Sequence, residues 1–241
     1  MRRRRLDAIL VSKELAADKK DAFILVTEGR VRVNGQKAVS PAQIAAEDAE
    51  IELRDADEYV GRGAEKLKAA MDLFGVSAYG KICADIGAAT GGFTEVLLRR
   101  GAAKVYAIDT ARGKLALKIR EDPHVVVMEE TDVRDLTALP DAADIAVIDV
   151  SLIRLRDILP YARRLLAPRG AVVALFKPQY ETRDPSVLRH GIIRDPENRK
   201  KLLADFRAWL NSHNWRIMGE MESPIRGSKG NTEYLFYLKQ T

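Results

Sequence analysis

The sequence predicts an α/β domain, a mostly parallel sheet with helices on both faces, preceded by a small α+β module. Three observations lead there. From about residue 63 onward, short apolar runs alternate with helical stretches. One run passes through a glycine turn into a helix, in "DIGAATGGFTEVLL" (85–98). Before that region, residues 5–53 carry a separate pattern of two helices and a basic hairpin. The 241-residue length suits one medium domain plus such a module, with 46% apolar residues for a core and 31% charged residues arguing against disorder.

In the front module, "RLDAILVSKEL" places apolar residues at 6, 9, 10 and 15, close to helical spacing. "KKDAFILVTEG" places them at 22, 23, 25 and 26 and stops at Gly29, a natural helix end. In "RVRVNGQKAV", Val31 and Val33 alternate with Arg30 and Arg32, and Asn34-Gly35 is a tight hairpin turn. "AEIEL" (49–53) closes the module as a further strand. The charge here is polarised. Residues 1–40 hold ten Lys/Arg against five acids, and residues 41–60 one Arg against seven. A solvated charged face would account for this, but clustering beside the hairpin favours a nucleic-acid partner. "RDADEYVGRG" (54–63) reads as a linker.

In the larger region the expected strands are "KICADIG", "AKVYAID", "HVVVME", "ADIAVIDV" and "GAVVALFK", followed by "WRIMGEMES" and "TEYLFYLK" as an antiparallel hairpin. Helices are expected near 63–74, 92–100, 152–167 and 196–212. The longest apolar runs, such as "AVVALF" (171–176), are strand-sized, so no membrane span or stable membrane association is expected. "MRRRR" is followed by no apolar signal segment, and Cys83 is the single cysteine; both fit a cytoplasmic protein. No His or Cys pair has metal-ligand spacing, so no structural metal is expected. Of the three histidines, only His190, in "RHGIIRDPENR", lies in a loop that could face RNA.

The turn glycines Gly87, Gly91 and Gly92 are spaced G-x-x-x-G-G, which does not fit the G-x-G-x-x-G fingerprint of dinucleotide binding. What remains is a close backbone approach and three acids, Asp85, Asp109 and Asp132, at three successive strand ends. Asp109 suits a ribose diol, Asp85 a cationic group, and Asp132 an adenine amine. Together they point to S-adenosylmethionine rather than a pyrophosphate; a plain tight turn with solvated acids is the alternative. Among methyl-transfer chemistries, Cys83 sits within an apolar strand and reads as a core residue, not a nucleophile. The Asp/Asn-Pro-Pro-aromatic run common in amine methylation is replaced by "DVSL" (149–152). Four charges remain at element ends: Asp149, Lys177, Glu233, and Lys66 on the flank of the Leu67, Ala70, Met71, Phe74 stripe. Each alone would pass as a surface charge.

Two resemblances organise these residues. "RLDAIL", "KKDAFILVTEGRVRVNG" and "AEIEL" resemble the ribosomal-protein-S-four-like RNA-binding domain, with Lys19-Lys20 where that family usually has Ser-Arg. The resemblance implies RNA contacts at Arg5, Lys19, Lys20, Arg30 and Arg32. "YVGRGAEKL", "DIGAATGGFTEVLL", "DVSLIRL", "FKPQYE" and "SPIRGSKGNTEYL" resemble the FtsJ-like ribose 2'-O-methyltransferases, and the whole chain is similar to the TlyA family, haemolysin-named rRNA 2'-O-methyltransferases. Leu152 and Arg154 depart from that family's usual Phe and Ser.

That likeness implies a Rossmann-like class I methyltransferase fold with a seven-stranded sheet over 58–241 and an RNA-binding domain over 1–57. It implies a catalytic tetrad of Lys66, Asp149, Lys177 and Glu233. Cofactor contacts would be Asp85, Gly87, Ala88, Gly91, Gly92, Phe93, Asp109, Asp132 and Asp149, with S-adenosylmethionine as donor. The acceptor would be a cytidine of ribosomal RNA or ribosomal subunits, with Arg62, Arg226 and Lys229 touching phosphate. Lys177 would contact the hydroxyl, either as a neutral general base or as a group that positions the oxygen. The competing expectations are a membrane-active cytolysin, suggested only by the haemolysin name, and a non-catalytic ribosome-associated RNA-binding protein.

Overall fold

The computed structural model describes residues 3–27, 29–53 and 59–241. The chain divides into two compact units, Met1–Gly61 and Arg62–Thr241.

The first unit contains β1 (Arg3–Arg5), α1 (Leu6–Ser12), α2 (Lys19–Thr27), β2 (Val31–Val33), β3 (Gln36–Lys37), β4 (Ile44–Ala46) and β5 (Ile51–Leu53). Leu6 and Leu10 of α1 pack with Ala22, Leu25 and Val26 of α2 and with Val31 of β2. Leu15 was expected on the first helix but lies beyond its end. Glu14 takes a left-handed φ of 58°. Leu15 N–H then bonds Leu10 carbonyl at 2.9 Å and Glu14 N–H bonds Val11 carbonyl at 3.1 Å. That is a Schellman stop without glycine, and it folds Leu15 back against the core. The Asn34-Gly35 hairpin forms as expected, with both residues at positive φ, 50° and 75°. β2 pairs antiparallel with both β3 and β5. The β1–β4 pair was not anticipated, because a strand reading Arg-Arg-Arg has no apolar alternation to betray it.

The second unit contains α3 (Gly63–Phe74), β6 (Ile82–Ile86), α4 (Gly92–Arg99), β7 (Lys104–Ile108), α5 (Leu117–Arg120), β8 (Val125–Met128), β9 (Ala143–Ile148), α6 (Leu155–Leu165), β10 (Leu166–Phe176), α7 (Pro178–Glu181), α8 (Pro196–Ser212), β11 (Trp215–Glu222) and β12 (Tyr234–Gln240). Seven strands form one sheet in the order β11-β12-β10-β9-β6-β7-β8. β10, β9, β6, β7 and β8 run parallel, and β12 is antiparallel to both β10 and β11. Central strands such as β9 and β6 are almost wholly buried, as a parallel sheet covered on both faces requires. Phe176, Phe206, Phe236 and Trp215 join α6 and α8 to one face. Chain order reverses at β6, whose neighbours are β7 and β9, and such a switch point opens a crevice beyond the strand C-termini.

Two one-turn helices were not expected. Pro178 does more than end β10: it occupies the first position of α7, where its missing N–H costs nothing. Helix α6 is shorter than the expected 152–167, because residues 151–154 belong to a loop and Leu166 already opens β10. Among the described residues, no helix is long and apolar enough to cross a membrane, and no group of His, Cys, Asp or Glu could hold a metal ion.

Candidate active site

Every expected cofactor residue lies at or beneath the C-terminal edge of the sheet, but the turn works differently from its first reading. Gly87 has φ 88° because β9 demands it: a Cβ there would stand 2.5 Å from the Asp149 carbonyl oxygen. Gly91, at φ 93°, caps α4 on its N-terminal side, and a Cβ there would meet Leu115 at 3.0 Å and Ile119 at 3.1 Å. Both glycines permit close approaches to protein, and Gly87 also borders the cavity beside it. Ala88 follows with its N–H on the Ile108 carbonyl, while Gly92 and Phe93 begin α4, both buried.

The three acids have three fates. Asp85 is 0% exposed, lies under the turn, and does not reach the cavity wall. Thr94 Oγ1 donates to its Oδ2 at 2.7 Å, and its Oδ1 has no partner among the described residues. Burial pushes its carboxyl up to about 7, helped by the neighbouring Asp149 and Asp109 and opposed by Thr94. Asp109 accepts the Ala89 N–H at 2.8 Å and the Ala111 N–H at 2.7 Å, so its carboxylate is fixed, half-buried, at the end of β7. Asp132 accepts the Arg134 N–H at 2.9 Å and forms a two-pronged pair with the Arg134 guanidinium at 2.5 Å. That pairing holds its carboxyl below the usual range. The carboxylate that the sequence assigns to an adenine amine is thus already paired with a guanidinium that sequence spacing did not reveal.

Asp109 and Asp132 line a cavity of about 560 Å³ together with Gly87, Asp149, Ser151 and Leu152. Ile108, Val133, Ile153 and Ile158 supply its apolar wall. The volume falls in the range of small-molecule sites, and a fixed carboxylate facing apolar walls fits a nucleoside.

The tetrad residues resolve into two ion pairs. Lys177, just past β10, pairs with Asp149, just past β9, at 2.5 Å. The Lys177 ammonium also donates to Ser151 Oγ at 2.9 Å. Lys66, on the buried flank of α3, pairs with Glu233 at 2.6 Å, and both side chains are under 10% exposed. Register places the pairs on one edge: Phe176 is opposite Tyr234, so Lys177 and Glu233 bracket the same strand boundary. Gln179 Nε2 reaches Glu233 Oε1 at 3.4 Å. Gly63, one turn before Lys66, lies against Asp149 and Phe93, its would-be Cβ 3.7 Å from Asp149 Oδ2. Gly227 leaves room for Glu233, whose Oε1 would be 2.4 Å from a Cβ at that position.

Sequence reasoning passed over several residues of this edge. Ser151 lies within "DVSL", where nothing in its spacing marks it as a partner of Lys177. Glu181, buried, accepts the Leu155 N–H at 2.5 Å and pairs with Arg156 at 2.8 Å, tying α7 to the start of α6. Asn231 joins two loops beside Glu233. The signal for each was its place within a motif already singled out.

Of the expected RNA contacts in the first unit, Lys19 and Lys20 are exposed at the start of α2. Arg5 is bound by Asp7 at 2.6 Å, and Arg32 donates to the Gly35 carbonyl at 2.7 Å. Arg30 is half-buried. In the second unit, Arg62 donates to the Arg226 carbonyl at 3.2 Å; Arg226 bonds Thr232 and approaches Glu222 at 3.6 Å; Lys229 is exposed.

The FtsJ-like methyltransferase family matches residues 59–240, and the S4 domain family matches residues 4–51. The 16S/23S rRNA (cytidine-2'-O)-methyltransferase TlyA of Mycobacterium tuberculosis is 38% identical, covering 99% of this chain and 90% of its own. Hemolysin A of Brachyspira hyodysenteriae is 37% identical, covering 96% and 98%. A solved structure described as a candidate hemolysin, from Streptococcus thermophilus, superposes with a TM-score of 0.75 at 34% identity, covering 100% of this chain and 90% of that one. A candidate S-adenosylmethionine-dependent methyltransferase from Listeria monocytogenes, at 14% identity and a TM-score of 0.56, covers 75% of this chain and 100% of that one, and shares the fold. A seven-stranded sheet of methyltransferase type, a family match across the second unit and near-full-length relatives agree: this chain belongs to the FtsJ-like methyltransferases, in the TlyA group that carries an S4 domain in front.

Proposed function

We propose that this protein transfers a methyl group from S-adenosylmethionine to the ribose 2'-oxygen of a cytidine in ribosomal RNA. One observation carries the reading: Lys177 is pinned by Asp149 and Ser151, both of which line the cavity that suits a nucleoside. In this reading Asp109 holds the donor's ribose diol, and Ile108, Val133 and Ile158 enclose its adenine. When bound, the donor supplies a sulfonium methyl, a strong electrophile that needs orientation more than activation.

The contacts with Asp149 and Ser151 fix where the Lys177 nitrogen sits, and this reading gives it a positioning role. Its nitrogen lies 2.5 Å from Asp149 Oδ1 and donates to Ser151 Oγ, with a further proton left to hold the acceptor oxygen. With donor and acceptor bound, Asp149 and solvent would receive the hydroxyl proton while Lys177 holds the oxygen in place. The buried Lys66–Glu233 pair, steadied by Gln179, keeps the neighbouring strand end in register. A substrate of this kind would place the protein's work in the cytoplasm.

The test is incubation of the purified chain with labelled S-adenosylmethionine and separated ribosomal subunits, followed by mapping of the label. Methylation that blocks alkaline cleavage at a single cytidine is expected. Label on a base, or no label in either subunit, overturns the proposal.

A further inference from the structure

We infer that the Arg189–Arg194 hairpin and the Arg226–Asn231 loop form one preassembled basic rim that grips RNA phosphates beside the transfer site. This rests on the reading above and extends it from the expected phosphate contacts Arg226 and Lys229 to Arg189, Arg194 and the Asn231 clip that joins the two loops.

The rim is built rather than loose. Arg189 N–H bonds the Ile192 carbonyl at 2.9 Å and Ile192 N–H bonds the Arg189 carbonyl at 3.0 Å, closing a two-residue turn. His190 and Gly191 fill that turn at φ 53° and 78°, the double left-handed geometry of a tight hairpin. Asn231, 3% exposed, clips this hairpin to the second loop. Its Nδ2 donates to the Gly191 carbonyl at 2.9 Å, and its Oδ1 accepts the Ile193 N–H at 3.0 Å. Ile193 is itself buried. The second loop is closed by Gly227 N–H on the Asn231 carbonyl at 2.9 Å and Gly230 N–H on the Gly227 carbonyl at 2.8 Å. Arg199 braces the far side by donating to the Ile193 and Arg194 carbonyls. Glu233 follows Asn231 by two residues, which fixes the rim to the edge that carries Lys177.

Charge identifies the partner. Residues 186–194 and 223–232 contain no acid. Arg189, Arg194 and Lys229 are exposed, and none has a carboxylate partner among the described residues. Elsewhere in this unit, arginines such as Arg100, Arg120, Arg154 and Arg207 are matched to carboxylates. Arg226 has Glu222 at 3.6 Å, but holding Arg189, Arg194 and Lys229 together without a carboxylate at salt-bridge distance is unfavourable for the isolated protein and favourable against a polyanion. Guanidinium forks match phosphate oxygens, and of the five cations here Arg189 and Arg194 on the hairpin, Arg199 on α8 and Arg226 on the second loop are arginines.

The experiment uses the full chain carrying Arg189→Ala with Arg194→Ala. Binding to protein-free 16S and 23S rRNA and methylation of purified subunits are measured between 50 and 200 mM salt. The double variant is expected to bind RNA about tenfold more weakly near 0.15 M salt, with the slope of log affinity against log salt shallower by about 1.5 to 2. Donor affinity and kcat should be unchanged, and Arg189→Lys with Arg194→Lys should restore the slope. Asn231→Ala, which cuts the clip while leaving every cation, should also weaken RNA binding at unchanged donor affinity. Wild-type affinity and slope in the double variant would overturn the rim, as would loss of binding to anionic phosphatidylserine vesicles with RNA binding intact. If the wild-type chain binds RNA through these residues but transfers no methyl, the proposed function fails and the rim stands.

Discussion

Lys177 stands where two strand ends offer it both a carboxylate and a hydroxyl, and that double restraint makes its role testable. Lys177→Ala should lower kcat by at least about 10³-fold, the scale of losing a group that orients and stabilises in the transition state. Donor binding by calorimetry should remain within about twofold, since the lysine does not line the cavity. Near-normal turnover would remove Lys177 from the mechanism. Asp85 illustrates the opposite kind of residue, one that charge logic placed on a ligand and packing placed under the turn. Its carboxyl rises to about 7 from an ordinary 3.8, so the folded chain holds a proton there that the unfolded chain has lost. Stability from this group is full below pH 3.8 and declines as pH rises through about 7. Asp85→Asn, which keeps an acceptor for Thr94, should therefore gain on the wild type with rising pH. Between pH 5 and 8 the gain should be of order 3 kcal/mol in urea unfolding. A pH-independent difference would contradict the buried, protonatable Asp85.

At the scale of elements, the site is assembled by short connections whose geometry no periodicity announces. Glu181 ends the one-turn α7 and reaches across to α6, where it accepts the Leu155 N–H and pairs with Arg156. Burial raises its carboxyl and Arg156 opposes that rise. Glu181→Ala would leave a half-buried guanidinium and a buried N–H unmatched, at a cost of about 3 kcal/mol in chemical denaturation. The loop carrying Ser151 precedes α6 directly, so KM for RNA should suffer as well, with donor affinity retained. A cost under about 0.5 kcal/mol would show that this clasp is not structural.

The same scale explains what sequence could and could not say. Seven strands and four long helices were legible because each carries several apolar residues at period 2 or 3.6, as in "AVVALF" and the α3 stripe. α5, α7 and β1 were not, since each spans three or four residues and is fixed by tertiary contacts rather than pattern. The tetrad positions came from family likeness; that they sit as two ion pairs, with Ser151 and Gln179 attached, depends on register between β10 and β12. The turn glycines read as space for a ligand, and Gly87 both borders the cavity and faces the Asp149 backbone, a contact no spacing announces. Gly87→Ala tests that contact: a left-handed φ and a 2.5 Å approach should cost at least about 2 kcal/mol in chemical denaturation and displace Asp149, and unchanged stability would remove the contact from the account.

For the molecule as a whole, the division of labour is electrostatic. The net charge of +5 is unevenly spread, and the first unit presents Lys19 and Lys20 at the exposed start of α2, with Phe23, 46% exposed, one turn further along the helix. Unlike Arg5, held by Asp7, neither lysine has an ion pair at salt-bridge distance among the described residues. Contacts of this sort position a polyanion without reading its sequence. Replacing both with alanine should raise KM for ribosomal RNA several-fold at 0.15 M salt and make the salt dependence shallower by about 1 to 2 in log–log slope. The variant and the wild type should converge at high salt, where released counterions no longer favour the complex. Turnover at saturating RNA, and the identity of the methylated nucleotide, should not change, because neither depends on how the chain was held to its substrate. A variant that kept its KM but methylated a different nucleotide would reverse this assignment, making the S4 unit a reader of sequence rather than an electrostatic anchor.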